Sequence, residues 1–434
     1  MAEIRPFRGL LYSQKKIEGD YSGVVAPPYD VISPGERDQL YEKSPYNIIR
    51  LILGKASGED DARDNKYTRA KEYLEQWQQE GILAADDTDS FYVYLQEYEY
   101  RGIRCSRLGF IGLMKIGETG SDELLPHENT LAKPKEDRMN LIKQVESNLS
   151  PIFSLYNDSE GKIKNVLESA TRESEPIIDI TVSGVRHALW KLSGSEEIRK
   201  IVDWMVGKNL FIADGHHRYE VAKMYRDMRR QEDDYDGSAD YVMMYFTDMA
   251  DPENLTVMAT HRAVKEMPVS DDEELSGKLK EYFTVTGFST LSELMDSLER
   301  ESRDGQAFGY YGGGEYLLMK SSDRKALLDL IEEEKTGDWK SLDVSILHSA
   351  VFEKILGVSA KEGNITYVKM PEEAGKLVDA GSHDAAFFLN PTRVEQLKSV
   401  AEHREMMPQK STYFYPKLLT GLVINKFEQL KVTT

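Results

Sequence analysis

The chain has 434 residues, with 55 Lys and Arg against 75 Asp and Glu, and a formal net charge of −20. At 40% hydrophobic and 30% charged it has the composition of a globular protein of two or three domains, not of a disordered one. The acidic balance argues against a surface built for the DNA backbone, which needs clustered positive charge, so nucleic acid is not an expected partner. It leaves room for a local basic pocket that takes a small phosphate compound.

Cys105 is the single cysteine, which rules out an internal disulfide and a cysteine zinc site. It stands in an alternating, strand-like region and is expected as a small buried hydrophobe rather than a nucleophile. Met1-Ala2-Glu3-Ile4-Arg5 lacks the apolar core of a signal peptide. No apolar run approaches the roughly 20 residues that span a bilayer. A cytoplasmic location and no membrane partner are therefore expected.

In chain order the pattern is mixed α/β. Lys66–Gln79 has Tyr73, Leu74 and Trp77 on one side and Gly81 as a stop signal, which predicts a helix. The tyrosine-rich Phe91–Glu97, a turn at Arg101-Gly102 and the apolar Leu108–Ile116 predict a β-hairpin. Ser121–Lys135 reads as a loop. A helix follows, with Pro134 in its first turn and Met139, Ile142 and Val145 along one face. Ile152–Tyr156 and Ile177–Thr181 are further strands. Ser193 and Glu196 have capping-box spacing ahead of a helix through Ile198, Ile201, Val202 and Met205. Leu210–Ala213 is a buried strand, and Tyr219–Tyr225 a helix.

A polar stretch from 231 to 240 crosses the surface. Strands resume at Tyr241–Phe246 and Val257–Val264. Helices are expected at Asp271–Tyr282, Leu291–Glu301 and Leu342–Leu356. Gly312-Gly313-Gly314 joins two short strands, Phe308–Tyr311 and Tyr316–Met319. It reads as a hairpin turn, because the chain has no G-x-x-x-x-G-K-[ST] pattern. Ala385–Leu389 is a strand, and Pro391-Thr392 opens another helix. The expected division is an N-terminal α/β region (1–120), a phosphate-binding core (121–264) and a C-terminal α/β region (265–434).

Two clusters carry chemistry. Asp214-Gly215-His216-His217-Arg218 fills the turn between a strand and a helix. Such turns aim backbone N–H groups and the positive end of a helix dipole at anions, and arginine and imidazole beside them suit phosphate. Adjacent residues on a helix do not share a face, so His216 and His217 do not chelate one ion together. With no H-E-x-x-H either, zinc is not expected. A phosphate-bound Mg²⁺ held partly by Asp214 or Glu128 fits the residue types better. The second cluster, Pro126-His127-Glu128-Asn129-Thr130 with Lys133, Lys135 and Arg138, is either a solvated charged loop or a site loop. His187, His261, His348, His383 and His403 stand singly and read as structural or surface residues. The segment 407–417 mixes polar and aromatic residues, and packing of its aromatic rings is the simpler reading.

The turn resembles the signature of free serine kinases of the ParB/sulfiredoxin-like fold. Sulfiredoxins carry a related Gly-Cys-His-Arg turn, and ParB proteins a Gly-Glu-Arg-Arg turn. The kinases also have an upstream Pro-His-Glu segment whose glutamate is taken as the base, and Pro126-His127-Glu128 stands in that order here. Over nearly its full length the chain is also similar to a large family of bacterial and archaeal proteins. These share the HE-x-T…PK-x-DR stretch, the ADGHHR turn and an MPQKSTYFYPKLLTGL-like tail.

The kinase resemblance implies a ParB/sulfiredoxin-like core and nucleotide or polyphosphate chemistry. Gly215 to Arg218 would hold phosphates, and His216 or His217 would donate to the transferred group. Glu128 would act as base. His127, Lys133, Lys135 and Arg138 would hold substrate or distal phosphates, and Asp214 would bind Mg²⁺ or orient a histidine. ATP or ADP with Mg²⁺, or pyrophosphate, is the implied donor, and free L-serine the first acceptor. A nucleotide-binding switch and a phosphohydrolase stay open as alternatives. Glu128 lies 86 residues before Asp214, and the long C-terminal part has no counterpart in the kinases.

Overall fold

The computed structural model describes residues 3–118, 124–125, 132–251, 255–269, 272–303, 305–359 and 363–427. They fall into two compact units, one drawn from the described residues of 3–125, 132–256 and 416–427, the other from those of 257–415. Strands on either side of residue 120 pair within one sheet. Residues 416–427 of the C-terminal tail fall in the first unit.

The first unit is a mixed α/β structure built on a nine-stranded mixed sheet. Its strands are β1 (Ile4–Arg5), β2 (Phe91–Tyr100), β3 (Ile103–Lys115), β4 (Leu124–Leu125), β5 (Ile152–Tyr156), β6 (Ile178–Val182), β7 (Val185–Leu192), β8 (Leu210–Asp214) and β9 (Tyr241–Asp248). They lie in the order β4-β8-β5-β9-β3-β2-β7-β6, with β1 paired to β3. The β4/β8 and β5/β9 pairs are parallel and the others antiparallel. The β2–β3 hairpin turns through Arg101 (φ 51°) and Gly102 (φ 75°), the two left-handed residues that match the twist of such a ribbon.

Alternation sorts the side chains of the sheet. Phe91, Val93, Phe110, Ile152, Ile212, Met244 and Phe246 enter one core, with Ile163 and Leu167 of a helix at Lys162–Glu173 and Ile201 and Met205 of one at Ser195–Met205. Tyr94, Gln96, Arg107, Phe153, His187 and Tyr245 are buried out of register with that set. The tail lies against some of these residues: Gln96 donates to the Lys417 carbonyl at 3.0 Å, and Leu419 N–H to the Tyr94 hydroxyl at 3.4 Å.

Among the helices, α1 spans Lys66–Gln79, as its periodicity predicts. The Asn65 side chain accepts from the N–H groups of Tyr67 and Thr68, and Thr68 accepts in return from the Asn65 N–H. Helix α2 (Ala132–Val145) packs on α3 (His216–Arg229) through Met139, Ile142, Val221, Tyr225 and Met228. The Ser195 helix starts differently from the expectation. Gly194 is its N-cap, without a side-chain bond, so Ser193 and Glu196 form no capping box. Cys105 is partly exposed, not buried.

The second unit holds a six-stranded antiparallel sheet in the order Phe283–Phe288, Glu315–Ser321, Ala307–Gly312, Ala385–Phe388, His261–Val264, Ile365–Val368. Its core contains Leu294, Leu298, Phe388 and Ala374. Gly313 and Gly314, at φ 60° and 85°, make the expected hairpin turn. The strand expected over 257–264 is two, Thr256–Met258 and His261–Val264. The helix expected at 342–356 is a short turn followed by a π-helix over Ile346–Leu356. Among the described residues no helix is long and apolar enough to cross a membrane.

Candidate functional site

The strand β8 enters the site with a defect. Its register against β5 runs Ile212↔Ser154 and then Asp214↔Phe153, so Ala213 is an extra residue. A bulge of this kind bends the strand and re-aims the side chain that follows it. Gly215 then takes φ 97°, a left-handed conformation open to glycine at little cost, and α3 begins at His216. A side chain at residue 215 has no room either, because its Cβ would lie 2.9–3.0 Å from the Arg218 guanidinium.

That guanidinium folds back over the turn. Arg218 Nη2 donates to Asp214 Oδ2 at 2.7 Å, and Nη1 donates to the Pro151 carbonyl. Lys417 Nζ donates to the other Asp214 oxygen, Oδ1. Asp214, Arg218 and Lys417 are each less than one-fifth exposed. One carboxylate thus sits between two cations, and the trio is net positive at the start of a helix. Lys417 itself is held through its backbone. Buried Arg107 donates to the Pro416 carbonyl and to Gln96 Oε1, and its guanidinium lies 4.6 Å from the centre of the Phe153 ring. Phe153 is the residue paired with Asp214.

His216 is buried, and burial lowers its pKa to about 4 despite the nearby Asp214 charge. The ring is neutral at pH 7 and has one N–H to donate. His217 is half-buried on the first turn of α3.

Asp214, read from sequence as a Mg²⁺ ligand, does not fit that role. Both of its oxygens lie on cations, whose charge opposes a metal ion at the same carboxylate. No group of three His, Cys, Asp or Glu side chains stands ready for a metal among the described residues.

The second cluster is only partly described. His127 and Glu128 lie outside the described residues, as does the side chain of Lys133. Lys135 pairs with Glu220 of α3 at 3.0 Å. Arg138 is buried. Its Nε reaches Asp137 at 2.9 Å, its Nη1 reaches the Ile52 carbonyl at 2.8 Å, and it lies 4.0 Å from the Tyr29 ring centre. Asp137 also accepts from Lys66 at 2.6 Å and from the Tyr67 hydroxyl at 2.9 Å. Burial pushes the Asp137 pKa up, but the Arg138 charge and these bonds outweigh it and hold it at about 2.

Arg138 and Arg218, from the two sequence clusters, line one cavity of about 60 Å³ together with Tyr29. The structure therefore joins those two residues and adds Lys417, Tyr29 and Asp137 to the site. Lys417 was legible only as a polar residue in an aromatic tail. Tyr29 stands in neither sequence cluster.

A family model matches residues 4–345, most of the chain. The chain belongs to the family described as Protein of unknown function (DUF1015). No curated protein matches it. Among solved structures it is similar to free serine kinase in complex with AMP, at 15% identity and a TM-score of 0.34, over 70% of this chain and 86% of that one. A conserved hypothetical protein from Pyrococcus furiosus matches at 15% identity and a TM-score of 0.34, over 70% and 91%. SbnI with a C-terminal truncation, from Staphylococcus aureus, matches at 11% identity and a TM-score of 0.36, over 72% and 86%. These are distant likenesses.

Proposed function

We propose that the Asp214–Arg218 turn is the phosphate half of a phosphotransferase site, which moves a phosphoryl group from a nucleotide or polyphosphate to a small hydroxyl compound. The observation that carries this reading is the net positive trio of Asp214, Arg218 and Lys417 at the start of α3, in a chain of net charge −20. The first N–H groups of a helix have no partner within it, and its dipole favours an anion there. Phosphoryl transfer depends mostly on positioning and charge neutralisation, which this arrangement supplies.

In this reading the backbone at Gly215–His217 and the charge of Lys417 and Arg218 hold the donor phosphates. His217 and the neutral His216 donate to the transferred group. Glu128 accepts the proton of the acceptor hydroxyl as its oxygen bonds to phosphorus and the bond to the bridging oxygen breaks. Lys133 and Lys135 serve distal phosphates. Free L-serine is the first acceptor to test, with ATP, ADP or pyrophosphate as donor. No step is assigned to a metal ion.

The test is to incubate the protein with serine and each donor, with and without Mg²⁺, and to look for phosphoserine. Glu128→Gln is expected to lower turnover far more than it weakens nucleotide binding. Equal loss of both removes Glu128 from the role of base. Nucleotide binding without any product turns the reading to a switch, and release of inorganic phosphate without phosphoserine turns it to a hydrolase. If neither nucleotides nor polyphosphates bind, the phosphate site itself is refuted.

A further inference from the structure

The cavity shared by Arg138 and Arg218 has both polar and apolar walls. Tyr29, Arg138 and Arg218 are among its polar lining residues, and Leu141, Val145 and Val221 among the apolar ones. Other polar side chains on the lining make bonds of their own. Ser147 donates to the Val145 carbonyl at 2.8 Å, Ser150 bonds Thr420 at 2.8 Å, and Asn148 Oδ1 accepts from Met243 N–H at 3.0 Å and Asn425 at 2.9 Å.

The two arginines are not used up. A guanidinium has five N–H donors. Among the described residues Arg218 spends two, on Asp214 and Pro151, and its Nε none. Arg138 is more than nine-tenths buried and spends three, on Asp137 and the Ile52 carbonyl. Both residues line the cavity of about 60 Å³. An anion with polar atoms on every side, such as phosphate, would leave several oxygens against hydrocarbon, which is costly. A group with a planar anionic end and a short apolar stem meets the arginines and the walls together.

We propose that this cavity is the acceptor subsite and takes a short-chain hydroxy monocarboxylic acid, with the carboxylate on Arg138 and Arg218 and the stem between Leu141, Val145 and Val221. The inference rests on the phosphotransferase reading for the word acceptor, but not for binding. Among the described lining residues no carboxylate is present to receive an ammonium group. The site therefore favours a hydroxy acid over the amino acid of the same length.

The test is calorimetric titration of the full chain with 2-hydroxybutyrate, L-serine and inorganic phosphate. 2-Hydroxybutyrate is expected to bind most tightly of the three. Val145→Leu, which narrows the cavity by one methylene, is expected to weaken it about tenfold and to leave ADP binding unchanged. Tyr29→Phe, which keeps the cavity's shape, is a second variant should the first not fold, and is expected to weaken the same ligand only. Tighter binding of serine or phosphate overturns the assignment, as does 2-hydroxybutyrate binding that neither variant alters. Carboxylate binding with no phosphoryl transfer leaves the subsite standing and removes the phosphotransferase reading. Transfer to serine that is indifferent to both variants does the reverse.

Discussion

Lys417 donates to the Asp214 carboxylate across 203 residues of chain, and so fastens the C-terminal tail to the turn that opens α3. Both side chains are more than four-fifths buried, and Arg218 bonds the same carboxylate. Lys417→Met is expected to cost about 2 kcal/mol, the scale of a charge-assisted hydrogen bond lost from a largely buried site. It also makes the trio neutral. ADP affinity should fall with it, whereas Lys417→Arg should keep most of that affinity. Urea unfolding and ADP titration of the two variants check this. Unaltered ADP affinity in Lys417→Met would show that the lysine only braces the tail.

Gly215 is required for two separate reasons, its φ of 97° and the Arg218 guanidinium where a Cβ would stand. Gly215→Ala is therefore expected to destabilise the fold by roughly 1–3 kcal/mol from backbone strain. It should also push Arg218 off Asp214. Urea unfolding measures the first effect. The second should appear as weaker ADP binding, and Gly215→Ala with wild-type stability would mean the turn relaxes freely.

Much of this was readable in the sequence because it is local. Lys66–Gln79 announces its helix by apolar spacing, and Arg101-Gly102 its hairpin by turn chemistry. Leu210–Asp214 leading into His216 announces a strand-to-helix turn. What was not readable depends on long-range pairing. Nothing near Lys417 names Asp214 as its partner, and nothing near Tyr29 names Arg138. Hydrogen-bonding residues also fit more than one role. Ser193 has the spacing of a cap, but Gly194 takes the position. Asp214 has the chemistry of a metal ligand, but two cations reach it first. The break at Ala259-Thr260 has no local signature, because no glycine or proline marks where pairing stops.

Burial of His216 makes stability depend on pH with a definite sign. Its folded pKa, about 4, lies below the ordinary 6.5, so the unfolded chain binds a proton more readily. Stability is unaffected above pH 6.5 and is lost as pH falls from there toward 4, by at most about 1.4 kcal/mol per pH unit. His187, also lowered by burial to about 3 and bonded to the Tyr94 hydroxyl at 2.6 Å, adds a second loss of the same sign. Asp137 contributes little in this window, because its carboxylate stabilises the fold above its unfolded pKa near 3.8 and loses that effect only below it. His216→Gln should flatten the fall in urea midpoint between pH 6.5 and 5 without abolishing it. An unchanged slope would mean that His216 titrates normally in the folded protein.

Arg107 connects the sheet to the tail, because its guanidinium binds Gln96 and the Pro416 carbonyl and lies over Phe153. If that connection positions Lys417, then Arg107→Met and Lys417→Met remove parts of one unit and their effects should not add. Each alone leaves buried acceptors short of a donor, Gln96 and Pro416 in the first case and Asp214 in the second. Once Pro416 is released, Lys417 has already lost its fixed approach to Asp214, so the second substitution costs less. The double-mutant cycle is expected to show a coupling of about 1 kcal/mol, within the range for residues sharing a hydrogen-bond network. Hydrogen exchange over 416–424 should rise in Arg107→Met more than in Lys417→Met, since only the former frees a backbone carbonyl. Strict additivity, with exchange in the tail unchanged, would show that Lys417 finds Asp214 without help from Arg107.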